Sequence, residues 1–217
     1  MPRERRNRDD TRSAIAVHAA RLMAQDGIED YGLAKKKAAR HLGMPDARNL
    51  PTNDEVDAAI REYQDIYQKD EQSSRVKSLR SSAVRVMREM ESFAPHLTGS
   101  VLSGIAGPFA GVRLQLFVDN PKTVELFLLD RGVSYRVSQV RLYAGHEARI
   151  LPVFTVEFEA VEVELTVLDV RDLRMPVRAT PDGRSIDRAR LATVEALLGQ
   201  DDQEVASRIQ RAASSAK

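Results

Sequence analysis

The chain has 217 residues, 33 Lys and Arg against 32 Asp and Glu, and no cysteine. That length suits one domain of ordinary size plus a smaller appendage, and the near-cancelling charge excludes a whole-molecule basic field, so a nucleic-acid surface has to be a local patch. Disulfides, thiolate catalysis and cysteine-ligated zinc are excluded; no apolar run approaches membrane-spanning length, and the basic N-terminus lacks a secretory apolar core, so a cytoplasmic address without a membrane partner is expected.

Up to about Phe93 nearly every segment reads as helix. Ile15, Ala19, Leu22 and Met23 form an apolar stripe that predicts a first helix from about Asp10 to Gln25, stopped by Gly27. Leu33, Ala34, Ala38 and Leu42 predict a second from Tyr31 to Gly43. Thr52-Asn-Asp-Glu55 has the form of a capping box, and Val56, Ala59, Ile60, Tyr63 and Tyr67 follow at helical spacing. Val76, Leu79, Ala83, Val86 and Met90 predict a longer helix over Gln72–Ser92.

Beyond Pro95 the period changes. Val112–Val118 reads as a strand, and Asn120-Pro121 caps a short helix through Leu128, ended by Gly132. Val133–Val137 and Val140–Tyr143 read as two short strands, and Ile150–Phe158 with Val161–Leu168 as a hairpin about Glu159-Ala160. Arg184–Leu198 and Gln203–Ala212 read as two terminal helices. The expected architecture is α+β: a helical module over residues 1–93, then a small mixed sheet with a helical tail over residues 94–217.

The stretch from Leu97 through Gly99-Ser100 to Val112-Arg113-Leu114-Gln115 places a Gly-Ser pair at the start of a short helix, with a strand some ten residues later. This resembles the signature of the nucleotidyltransferase superfamily. The resemblance implies that Gly99 and Ser100 touch a triphosphate, and that an acid-x-acid pair on the next strand, with a third acid from a later strand, holds two magnesium ions. Such ions activate the attacking hydroxyl and stabilise the leaving pyrophosphate. The acid pair falls on Gly111 and Arg113, or on Arg113 and Gln115, and neither choice contains a carboxylate. Glu162 or Glu164 suits the third acid, and Asp119 is a displaced substitute. The whole chain is also similar to a bacterial group of nucleotidyltransferase-like proteins that share its Ala-Arg-Leu-Met-Ala-Gln-Asp-Gly and Leu-Thr-Gly-Ser stretches.

The resemblance implies a degenerate enzyme that binds a nucleotide, RNA or a protein without transfer chemistry, with Gly99, Ser100 and Arg113 on phosphate and arginine replacing the metal's charge. No metal is expected there, Glu162 being the ligand if one binds. The alternative is an active magnesium-dependent nucleotidyltransferase using Asp119, Glu162 and Glu164. A third reading is a nucleic-acid module in which Arg5, Arg6 and Arg8 join Lys35, Lys36 and Lys37 as a phosphate-contacting patch. The first two helices resemble those of TetR-type regulators, yet Pro45 and Pro51 break the stretch where a recognition helix has to follow. The four histidines lie far apart without ligand spacing, and none is given a catalytic role.

Overall fold

The computed structural model describes residues 2–26, 28, 30–44, 50–67, 69–144, 147–180 and 185–215, without the side chains of 2–9, 25, 64–71 and 204–215. It is α+β, as expected, with contacts that divide it into two units. One comprises residues 1–76 with 104–110, the other residues 77–103 with 111–217. The sequence reading placed its boundary near residue 93; the contacts place the greater part of the fourth helix with the sheet.

The first unit holds α1 (Pro2–Asp26), α2 (Tyr31–His41), α3 (Asn53–Tyr67) and the beginning of α4 (Lys69–Glu89). Its core is made of small residues, with Ala16, Ala19 and Ala20 of α1 and Ala34, Ala38 and Ala39 of α2 packed around Ile15, Val56, Ile60 and Ile105. Each alanine shortens the reach between helix axes, so the backbones close on each other without long side chains. The expected capping box is present: Glu55 N donates to Thr52 Oγ1 at 3.2 Å, and Thr52 N donates to Glu55 Oε2 at 2.6 Å. Arg12 donates from Nε to the same Glu55 oxygen at 2.9 Å, tying α1 to the head of α3, and this guanidinium is the main reason the Glu55 carboxyl lies below its ordinary range. Helix α1 begins well before the expected Asp10, with Pro2 at a first-turn position where its missing N–H costs nothing.

The second unit is built on a seven-stranded sheet ordered β6-β3-β4-β5-β2-β1-β7. The strands are β1 (His96–Thr98), β2 (Val112–Phe117), β3 (Tyr135–Ala144), β4 (Glu147–Phe158), β5 (Val161–Leu168), β6 (Val177–Arg178) and β7 (Arg188–Arg190). Only the β2–β5 pair is parallel. A short helix α5 (Gly99–Ser103) follows β1, and α6 (Lys122–Asp130) follows β2. The expected hairpin joins β4 to β5 through Glu159 and Ala160, with φ of 48° and 64°. Both central residues are left-handed, as a tight two-residue turn demands, although neither is glycine.

Three expectations need correction. Residues 133–143 do not form two strands: β3 is continuous, because Ser138 and Gln139 pair with Val153 and Pro152 of β4 like their neighbours. The two terminal helices are one, α7 (Leu191–Ser215). Gly199 does not break it, since glycine costs a helix interior only about 1 kcal/mol. Two and three residues further on, the helix is tied to α4, Asp201 by Arg80 and Asp202 by Lys77 at 2.5 Å. Residues 185–190 are not helical, because Arg188–Arg190 pairs with β1 instead, and the expected start at Arg184 lies outside the described residues.

Among the described residues no helix is long and apolar enough to cross a membrane.

Candidate functional site

Gly99 ends β1 with φ of +75°, a conformation that glycine adopts without the strain a side chain would bring. Its exposed backbone leads into α5, whose carbonyl end is clamped from behind. Arg80 of α4, 7% exposed, donates from Nε to Val101 O at 3.1 Å and from Nη2 to Leu102 O at 3.0 Å. Its Nη1 reaches both Asp201 oxygens at 2.9 and 3.0 Å. One guanidinium thus satisfies two helix-end carbonyls and joins α4, α5 and α7.

Because β1 and β2 run antiparallel, Thr98 faces Arg113, and because β2 and β5 run parallel, Arg113 faces Glu164. Arg113 Nε donates to Glu164 Oε2 at 2.8 Å, with both side chains about 40% exposed (41% and 38%). A Cβ placed on Gly99 would meet Arg113 Cδ at 3.5 Å, so the Gly-Ser turn and the arginine are neighbours. Gly111, one step before β2, has a different reason to be glycine: a Cβ there would lie 2.7 Å from Glu162 O. The start of β2 approaches β5 too closely for any side chain.

The pairing continues across the sheet in one row: Arg188, Thr98, Arg113, Glu164, Thr155 and Arg136, each on a different strand and all on one face. Arg136 donates to Glu162 Oε2 at 2.6 Å. Arg188 is occupied elsewhere, donating to Asp172 O at 3.1 Å and Leu173 O at 2.6 Å with its guanidinium 5.2 Å from the Phe117 ring centre. Two residues before Thr98 on β1, and on the same face, lies His96, whose Nδ1 is 2.8 Å from Ala94 O. Burial lowers its pKa below the ordinary value, and the Arg188 and Arg190 charges push the same way.

Gly99, Ser100, Arg113 and Glu164 therefore come together. Glu162 lies on the same face at the beginning of β5, exposed and engaged by Arg136. Asp119 does not join them: it is exposed beyond the far end of β2, and Phe117, the last residue of that strand, is already roughly 13 Å along it from Arg113. Among the described residues no group of three or more His, Asp or Glu could hold a metal ion. The residues here do not fit a two-magnesium centre, since Arg113 and Gly111 offer no carboxylate and both glutamates face guanidinium groups.

The basic patch expected on the first unit is divided by its own contacts. Lys35 donates to Pro51 O at 3.0 Å and Asn53 Oδ1 at 2.8 Å, and burial lowers its pKa. Lys37 pairs with Asp26 at 3.4 Å, while Lys36 is exposed. The side chains of Arg5, Arg6 and Arg8 lie outside the described residues.

No protein-family model, no curated protein and no solved structure matches this chain. Sequence reasoning missed Arg136 and the roles of Arg80 and Gly111. An arginine among alternating strand residues carries no mark of its partner, which is set by register. Gly111 did carry a signal, since glycine opening a strand often marks a close backbone approach.

Proposed function

We propose that this chain is a nucleotidyltransferase-like binding protein that holds a phosphate-bearing ligand, a nucleotide in the first instance, at Gly99, Ser100 and Arg113 without metal-dependent transfer. The observation that carries the reading is the placement of Arg113. It stands on a central strand beside the left-handed Gly99, half-exposed, with its guanidinium held by Glu164 at 2.8 Å. A guanidinium forks onto phosphate oxygens in two parallel hydrogen bonds, supplying from the protein the charge that magnesium supplies in a transferase. Glu164 sets its orientation in the absence of ligand. The clamped α5 keeps the Gly-Ser turn in one position, which reduces the ordering cost of binding.

Calorimetric titration with ATP, CTP, GTP and UTP, with and without magnesium, tests this reading. Binding indifferent to magnesium is expected, weakened by roughly tenfold or more in Arg113→Met, as befits loss of a charge-assisted pair. Ser100→Trp is expected to abolish it by filling the turn. Nucleotide incorporation that requires magnesium and is lost in Glu162→Ala would replace the proposal with a transferase.

A further inference from the structure

Strand β3 spans Tyr135–Ala144, but its outer neighbour β6 pairs only with Tyr143 and Ala144. From Tyr135 to Leu142 the outer edge has no strand beside it among the described residues. Arg136, Val137, Ser138, Gln139 and Arg141 are exposed there. In a strand paired on one side, alternate residues direct both N–H and C=O to the other, so this length presents a row of unmade backbone hydrogen bonds. A sheet edge of that length is a template for one more strand.

We infer that the free edge of β3 is the docking site for an extended acidic segment of a partner protein, which adds to the sheet as a further strand. Charge selects the occupant. Arg136 already donates to Glu162, which leaves exposed Arg141 as the charge the edge offers. The stretch itself contains no acid, so a strand carrying glutamate or aspartate opposite Arg141 is matched, while a basic strand is not. A second copy at the same edge would bring Arg141 of each chain into one seam, where the stretch supplies no acid to meet it and Glu162 is already engaged by Arg136. Val137 and Ile150, 58% and 60% exposed, lie on the same face of the β3–β4 pair and give the incoming strand's alternate side chains an apolar surface. This inference is independent of the nucleotide reading, since Val137, Gln139 and Arg141 belong to the opposite face from Arg113.

The experiment uses the full chain and a capped synthetic peptide matching the free edge in length, of alternating threonine and valine with glutamate placed opposite Arg141. Amide hydrogen exchange is followed with and without it. Binding is expected to slow exchange at alternate residues within 135–142, and methylation of alternate peptide nitrogens to abolish the effect. Arg141→Glu, at an exposed position that leaves the fold untouched, is expected to weaken the acidic peptide by roughly tenfold and favour its lysine counterpart. Absence of protection at millimolar peptide, protection elsewhere, or equal binding of both peptides to the wild type would each overturn the proposal. A concentration-dependent dimer protecting 135–142 without peptide would assign the edge to a second copy and overturn it as well.

Discussion

The two faces of β2 and β5 are made of the same two strands and behave as different materials. On one face Val112, Leu114, Leu116, Val163, Leu165 and Val167 are each at most 1% exposed. On the other, Arg113 and Glu164 form a half-exposed ion pair, Gly111 is pressed against Glu162, and only the far end, at Phe117 and Leu168, returns to apolar packing with Leu142, Ala144 and Val177. The apolar face supplies the burial that makes the strands stable. The polar face is thereby free to carry chemistry unrelated to folding, and to lose or exchange it without loss of the sheet.

That division is tested most strongly by truncating one residue on each face. Leu165→Ala opens a cavity at a fully buried position and is expected to cost about 3 kcal/mol in a urea titration. Arg113→Met removes an ion pair that water screens, and less than about 1 kcal/mol is expected. Equal losses would mean that the polar face is a second core, and the proposed binding role of Arg113 would lose its basis.

The apolar face was also the legible one. Alternation in Val112-Arg-Leu-Gln-Leu and Val161-Glu-Val-Glu-Leu fixes both strands and which residues lie on each face, and the Thr52–Glu55 spacing gives a helix start to the residue. Alternation does not say which strand lies beside which. The Arg113–Glu164 and Arg136–Glu162 pairs follow from the parallel β2–β5 register and from β3 lying next to β4, so Glu162 and Glu164 read equally well as metal ligands in advance. Strands β1 and β7 are three residues each, too short to show a period, and they exist because each has β1 or β2 to pair with. The single α7 was hidden by Gly199, whose local signal for a helix end is overruled by the ties from Lys77 and Arg80.

A smaller effect is expected where the two strands touch without side chains. Gly111→Ala puts a Cβ 2.7 Å from Glu162 O, and a backbone carbonyl cannot swing aside as a side chain can. The β2–β5 pair has to open at its beginning, at a cost of about 1–3 kcal/mol. Because the displaced strand carries Arg113, ligand affinity is expected to fall together with stability in this variant, whereas Arg113→Met lowers affinity alone. Thermal melts and phosphate-ligand titrations on both variants separate the two patterns.

The finest test of the polar face is its response to acid. His96 is buried on β1 between Phe117, whose ring centre is 5.2 Å away, and the Arg188 and Arg190 charges that help hold its pKa below 6.5. In the unfolded chain the same imidazole titrates near 6.5, so on acidification the unfolded state takes up the proton first. The contribution is therefore fully present above that pH and declines as the pH falls below it toward the lower folded value. Glu55 and Glu125, held below 4.5 by Arg12 and by Tyr135, lose their contributions only in stronger acid, so the histidine has the interval between to itself among these groups. Urea midpoints at pH 7.5 and 5.5 are expected to drop for the wild type and to drop less for His96→Gln, which carries no titrating proton. Equal drops in both proteins would move the acid sensitivity away from β1 and leave the polar face electrostatically indifferent at this end.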